Sequence, residues 1–500
     1  MPIAGFELDR SSQRRDTSHP PSKQTVFSNL WIINHFVFEN ARKIGYQYFN
    51  KAAALMPLAF RQRNFAVAHH LRDISAGYDT AQHASNGGGP FVTYSKPEKT
   101  RTKSAQAKQD AILDAAARQF NALGVKGAQL GEIAANVGMV TSGIAYYYRK
   151  KDDLAAACFL RAIAVTKVHA LTASAEPDVA ARVARLFALH LGELAAMANG
   201  EARPLIGFSD ILALGEPQLA PVLAAYIDMF RSIRALLADP AAKAQEHSVK
   251  VLRAHLVLSL LNAHRDWTHR FEASDYPRVA HLVADVVLNG VTRGADIVLG
   301  ADPVLPAPPP ASDPTAEAFL RAATQLVNDQ GYRGASVEKI AAVLDATKGK
   351  FYHYNDAKNE LITACFERSF DLQRHFLDQA EALDVRGAQR FAALIRALVC
   401  FQLSDRGPLL QGSAFSVLPD QQNRAHISRT RQQLDTRIGS ILVGGLIDGS
   451  VRALDPALTA EVVHAAISAA AELRRWLPRA DPASVARNYA QLIICGQLHA

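Results

Sequence analysis

Two short stretches of this 500-residue chain set hydroxyls, aromatic rings and amines along what reads as one side of a short helix. The first holds Thr141, Ser142, Gly143, Tyr146 and Tyr147; the second holds Thr347, Lys348, Gly349, Lys350, Tyr352 and His353. Small or hydrogen-bonding residues at a helix start, with donors following along one side, suit a helix that lies in the major groove of DNA. Each stretch follows a shorter apolar helix (Leu130, Ile133, Ala134, Val137; then 337–344) after a turn at Gly138-Met139-Val140 or Asp345-Ala346. Two helices joined this way form a helix-turn-helix. From one such trio alone, a hairpin inside an ordinary helical bundle reads the same.

Other chemistries find no support. Cys158, Cys365, Cys400 and Cys495 are scattered, without CxxC spacing, and give neither a disulfide framework nor a zinc site. Cys158 and Cys365 read as core residues. His69-His70 has no second ligand pair at metal spacing. No Ser-His-Asp order, phosphate loop or paired-carboxylate motif stands out, so no enzyme and no cofactor is expected. No run approaches the ~18 uninterrupted apolar residues that span a bilayer, and the first residues lack a signal-peptide layout. The expected setting is a reducing cytoplasm. The net charge of +8 and pI near 9.2 permit a polyanionic partner without demonstrating one.

The elements that position the two trios repeat. Shifting the chain by 207 residues lays 110–161 over 317–368 without a gap, with roughly a third of the pairs identical. Gly124 matches Gly331, Ile133-Ala134-Ala135 matches Ile340-Ala341-Ala342, and Cys158-Phe159 matches Cys365-Phe366. In copy one Ile112, Leu113, Ala116, Phe120 and Leu123 fall at helical spacing, with Gly124 ending that helix and Thr141 capping the third. Thr347 takes the capping role in copy two. Long amphipathic stretches follow each trio (179–198, 217–237, 248–271 and 276–299; 394–402, 430–447 and 459–476), and strand-like alternation is nearly absent. Trp267 and Trp476 are expected to pack within the last helical pair, a ligand-binding role being the alternative. The fold class is all-α.

The domain plan is an N-terminal extension at 1–99, a first unit at 100–300, a proline-rich linker at 301–313 and a second unit at 314–500. The heads span 105–151 and 314–358, and the helical domains 152–300 and 359–500. The extension matches neither copy and is expected to be largely disordered, a partly helical accessory segment being the alternative. The linker favours extended polyproline conformation, a semi-rigid spacer with a reach of roughly 40 Å.

Gly331-Tyr332, Ser336 to Ala341, Thr347 to Tyr354 and Lys358-Asn359-Glu360-Leu361 resemble the N-terminal signature of the tetracycline-repressor (TetR) family. Copy one resembles it through Phe120, Gly124, Ile133-Ala134, Gly138, Ser142, Ile144, Tyr146-Tyr147 and Lys151 to Leu154. Ala145 departs from the signature tyrosine, and Tyr148 and Asn355 from its phenylalanine. The resemblance implies a DNA-binding head and a C-terminal helical domain that dimerises and often holds a ligand. It also implies phosphate contacts for Lys151 and Lys358.

A sequence-specific transcriptional regulator, a repressor by family habit, is therefore expected; a ligand-binding or interaction scaffold with degenerate heads is the alternative. Its partners would be a double-stranded operator and a small hydrophobic effector, with the two units paired as an intramolecular pseudo-dimer and no membrane. The heads differ in charge: 96–161 carries eleven Lys/Arg against six Asp/Glu, while 313–368 carries seven against eight. Copy one also has a basic arm containing Lys99, Arg101 and Lys103, suited to following the DNA backbone. Candidate effector contacts are His190, Phe208, Tyr226, Met229 and Phe230 in copy one, and Phe376, Gln402 and Ser416 in copy two; each could equally be a core filler.

Overall fold

A computed structural model describes residues 103–238, 246–268, 270–292, 303–344, 358–412 and 421–498. Among them the chain is helical, with a single isolated β-bridge, Thr292 to Val451. In copy one, α1 (Lys103–Gly127), α2 (Leu130–Asn136) and α3 (Thr141–Tyr147) are followed by α4 (Lys151–Ala173), α5 (Val179–Ala198), α6 (Leu219–Leu236), α7 (His247–Asn262) and α8 (Tyr276–Asn289). Copy two supplies α9 (Pro314–Gly334), α10 (Val337–Val343), α11 (Lys358–Glu381), α12 (Gly387–Gln402), α13 (Gln421–Ile447), α14 (Pro456–Ala469) and α15 (Pro482–Cys495). The extension at 1–99 lies outside the described residues.

The repeat is visible in the bonds as well as the helices. Gly124 and Gly331 both take φ 71°, a left-handed conformation open to glycine at little cost. Helix resumes after each, to Gly127 and Gly334, so these glycines kink the first helix where the sequence reading ended it. Arg161 on α4 is buried at 7% exposure and donates to Asp114 Oδ1 (2.6 Å) and to the carbonyl oxygens of Pro204 (2.6 Å) and Leu113 (3.3 Å). Its counterpart Arg368 donates to both Glu317 carboxylate oxygens and to the Arg406 and Pro408 carbonyls. Each guanidinium thereby ties the first helix of its head to the loop that follows the second helix of its body. Asn121 and Asn328 make a parallel tie, each bonding both ways to that loop: Asn121 with Leu205 and Gly207, Asn328 with Leu409 and Gln411.

By length and composition α4 could cross a membrane, yet more than half of its apolar stretch is buried inside the protein. Leu154, Ala155, Phe159 and Ala170 are fully covered, and α1, α5 and α6 pack around it. Its apolarity is that of a central helix.

The two copies meet along α7 and α8 on one side and α14 and α15 on the other. The helix ends at Gly290 and Gly496 touch. A Cβ on Gly496 would fall 2.2 Å from the Gly290 nitrogen, and one on Gly290 would fall 2.3 Å from the Cys495 carbonyl carbon. Past each glycine the chain donates into the opposite helix: Val291 and Thr292 to the Ile494 oxygen, Gln497 to Val287, and Leu498 to Leu288. Thr292 to Ile494 and Leu498 to Leu288 are related by the same approximate two-fold exchange expected of a self-complementary interface. Arg253 clamps Gln497 through its side-chain and main-chain oxygens at 2.7 and 2.8 Å. Arg452 bonds Asp285 and the Gly290 carbonyl, and Arg270 pairs with Glu461 at 3.2 Å.

The described part of the linker, 303–313, is docked on copy two and does not stand off as a spacer. Arg406 donates to the carbonyls of Pro308 and Pro309, and His375 contacts that of Pro306. A proline run has no internal amide donors to occupy its carbonyls, so a neighbouring guanidinium takes them.

Gly496→Ala should destabilise the fold by more than about 2 kcal/mol, since it combines a forbidden φ of 81° with a backbone clash. Chemical denaturation measures the loss, and faster amide exchange at Val291 and Gln497 would place it at the seam. Burial pushes the Glu461 carboxyl up from 4.5 to about 7, and Arg270 pulls it back only in part. The folded state then holds a proton that the unfolded chain has lost. Stability should fall as pH rises from about 4.5 to about 7, and level off above that. Thermal melts across pH should show this decline in the wild type and a flatter profile in Glu461→Gln.

Candidate nucleic-acid interface

The α2–α3 turn is made by Gly138, at φ 65°, with Met139 and Val140. Ile133, Ala134 and Ile144 are buried beneath it, and this small core fixes the angle between the two helices. On the outside, Thr141, Ser142 and Ala145 are exposed. Tyr146 is 83% exposed, with its ring edge-on to the half-buried Tyr147 at 5.2 Å. A large aromatic side chain that exposed has no packing role to explain it. The capping residue of α3 is Val140, not Thr141, and it makes no side-chain cap bond. In the repeat it is Val140, not Thr141, that aligns with Thr347. Thr141 lies within the first turn with its side chain in solvent.

Tyr148, at a phenylalanine position of the family signature, is 7% exposed, and its hydroxyl accepts 2.9 Å from Gln109 Nε2. The extra polar atom is satisfied, so head packing is retained. Lys151 has a structural role beside the phosphate contact implied for it. Its ammonium donates to the carbonyl oxygens of Lys126 and Ala128, both at 3.0 Å, stitching the α1–α2 link to the start of α4. Arg149 and Lys150, on the exposed corner just before α4, were not singled out from sequence. Their signal is a basic run that abuts the recognition helix. Lys103 and Lys358 lie on described backbone, at the starts of α1 and α11. Lys99, Arg101, Thr347, Lys348, Lys350, Tyr352, His353 and Ser416 lie outside the described residues.

The heads are not independent. The first helix of head two, α9, packs against α1 and against the 3-10 helix Phe208–Ala213. Asp210 on that 3-10 helix accepts from the Val125 amide at 2.8 Å, while its other oxygen lies 2.8 Å from where a Gly331 Cβ would stand. Desolvation raises its carboxyl above the usual range.

The effector candidates divide. Phe208 meets Tyr226 edge-on at 5.4 Å, and Phe230 stacks at 3.9 Å and 24° on Trp476, which copy two contributes. Trp476 thus packs on the opposite copy. Trp267 is fully buried beside α14, also a cross-copy position. His190 lies elsewhere, between His169 and His264, with its Nε2 3.0 Å from the Leu261 oxygen. Burial and its two histidine neighbours hold its pKa well below the ordinary value. Met229 is wholly buried in the core. In copy two, Phe376 packs edge-on to Phe401. Gln402 is buried with both ends used, donating to Ile467 and accepting from the Leu409 amide. An open groove of about 640 Å³ runs beside Arg374, Arg429 and Arg437 on α11 and α13. Two of these arginines are already paired, with Asp371 and with Asp378 and Glu381. Burial pushes the Cys158 and Cys365 thiols up to about 12, which suits core residues.

Tyr146→Ala should leave the melting temperature unchanged while weakening operator binding. Lys151→Ala should cost about 1 kcal/mol of stability through its two lost carbonyl bonds. Paired thermal melts and DNA titrations separate the two effects.

The family model for bacterial regulatory proteins of the tetR family matches residues 112–158 and 319–365, the same 207-residue offset as the internal repeat. Solved structures similar to part of the chain include apo AibR, at 20% identity over 36% of this chain and 98% of that one, with a TM-score of 0.30. PfmR from Thermus thermophilus is 21% identical over 36% and 97%, with a TM-score of 0.29. FadR from Bacillus subtilis, solved with stearoyl-CoA, is 16% identical over 36% and 97%, at 0.28. No curated protein matches the sequence. The chain carries two tandem TetR-like units, each opened by a DNA-binding head of the tetR family of bacterial regulatory proteins, and is a DNA-binding transcriptional regulator.

Proposed function

We propose that the chain is a repressor that grips an operator chiefly through head one and works as a single-chain pseudo-dimer under the control of a small hydrophobic effector. The observation that carries the reading is the exposed polar and aromatic side of α3, with Thr141, Ser142 and Tyr146 in solvent above a buried core. Among the described residues that side is left exposed, and a duplex major groove is the surface it suits. The seam through Gly290 and Gly496 supports pairing within one chain, because α7 and α8 already cover α14 and α15. A tether holds the two copies at high effective concentration. The domain boundaries expected from sequence stand as part of this proposal.

The heads contribute unequally on this reading. Head one brings the basic arm, with Lys99, Arg101 and Lys103, whereas Asp313 and Glu317 stand at the start of head two. Lys348, Lys350, Tyr352 and His353 add contacts once head one is docked. Selection from a random oligonucleotide pool should return an operator with unlike half-sites about one helical turn, or a multiple, apart. Replacing Lys99, Arg101 and Lys103 by alanine should weaken binding to all sequences and flatten the salt slope by up to about three units. A palindromic site with equal losses from both heads would sink the asymmetric reading. A reporter placed behind the selected operator should fall in expression when the protein is present; a rise would mark an activator.

A further inference from the structure

Where Trp476 enters copy one, it lies on the face of Phe230, with Tyr226 tilted beside it at 6.3 Å and His255 edge-on at 6.2 Å. Phe208 and Tyr489 close the surround through edge contacts to Tyr226 and His255. This is a slot shaped for one planar ring, with one stacking wall and edges on the sides. Three of the walls are better buried than the occupant: Phe230, His255 and Tyr489 are 3%, 2% and 0% exposed, while Trp476, like Tyr226 and Phe208, is half-buried. The slot also holds polar groups that the indole does not use. Among the described residues the His255 Nε2 is buried with no hydrogen-bond partner, 3.9 Å from Glu472 and out of bonding range. The Tyr226 hydroxyl accepts a long 3.5 Å bond from Asn262. A buried polar atom left unpaired beside an apolar ring is a cost that a ligand with a polar edge would remove.

The segment carrying Trp476 also reaches head two. Arg475, its neighbour, is ion-paired with Asp329 on α9, and Glu472 contacts Gln411 in the loop that Asn328 holds. The indole in copy one and the first helix of head two are therefore anchored by adjacent residues of one short turn, Leu473–Trp476.

We propose that this slot is a binding site for a planar aromatic small molecule with a polar edge, that Trp476 is its internal occupant, and that displacing Trp476 loosens α9 through the Arg475–Asp329 pair. The proposal rests on the effector reading above and specifies its ligand class. An internal occupant lowers the apparent affinity for any competitor by the fraction of time the slot is open. Removing the occupant should reverse that reduction.

The test titrates indole into the full chain by calorimetry, in the wild type, Trp476→Ala and Trp476→Phe. Trp476→Ala should bind indole at least about ten-fold more tightly than the wild type, and indole should restore part of its lost melting temperature. Amide exchange in α9 should be faster in Trp476→Ala than in the wild type and slow again when indole is added. Trp476→Phe, which keeps a ring in the slot and the fold with it, should bind several-fold more tightly than the wild type. Should Trp476→Ala not fold, Trp476→Phe alone decides. Equal indole affinities in the wild type and the folded variants, or exchange in α9 that ignores both substitution and ligand, would overturn the proposal. Operator binding measured on the same proteins separates the readings. A chain that binds its selected operator but not indole loses only the aromatic site. A chain that binds no DNA loses the regulator itself.

Discussion

Two helix ends meet at Gly290 and Gly496 with their backbones closer than any side chain allows. That contact governs the rest of the arrangement. It lets Val291, Thr292, Gln497 and Leu498 donate into the opposite helix, which satisfies carbonyls that a helix C-terminus otherwise leaves unpaired. With α8 and α15 fixed in this way, α7 and α14 are drawn against each other. Arg253 and Arg452 then find their acceptors across the seam. The bodies in turn set the heads, because Arg161 and Arg368 bond both the first helix of a head and a loop of its body. Breaking one partner of such a buried pair is costly. The relative placement of the two bodies is thus set by backbone contact at the seam.

The heads were legible in sequence because their physics is local. Ile133, Ala134 and Ile144 lie within a dozen residues of one another, and the turn glycine Gly138 sits between them. The 207-residue repeat exposed the pairing of Cys158 with Cys365, and the structure shows why both sulfurs recur: each lies against a carbonyl of its own first helix, Leu113 or Leu320. The aromatic cluster of the first body was less legible. Phe208, Tyr226 and Phe230 do gather, but their principal partner comes from more than 240 residues downstream. No periodicity within copy one can announce Trp476. Lys151 shows the opposite limit. Its position matched a phosphate contact, yet the carbonyls it binds lie on the preceding helix–helix link, and a motif does not reveal what a flexible amine reaches.

Fusion of the two copies permits something a symmetric dimer forbids. In a homodimer every interface residue occurs twice, so an asymmetric contact on one side must be tolerated on the other. Here each side can diverge. Trp267 is fully enclosed beside α14, whereas the corresponding Trp476 is half-buried and stacked on Phe230. Asp210 braces Val125 of head one and stands against Gly331 of head two, and nothing requires a reciprocal carboxylate in copy two. The charge of the heads has diverged in the same manner, with acidic residues at the start of head two where head one has its arm.

The divergence has a direction. Copy two supplies residues that enter copy one's body. Trp476 fills its aromatic slot, Glu461 takes Arg270 at the seam, and Arg475 returns to α9. A regulator needs a surface that reads DNA and a part whose rearrangement changes that surface. In a symmetric dimer both tasks fall on every copy, and each constrains the residues available to the other. With two unlike copies on one chain, substitutions in the second can alter packing inside the first without touching α3. The stack of Trp476 on Phe230, only half-shielded from solvent and next to a residue tied to head two, joins the body of copy one to α9 of copy two.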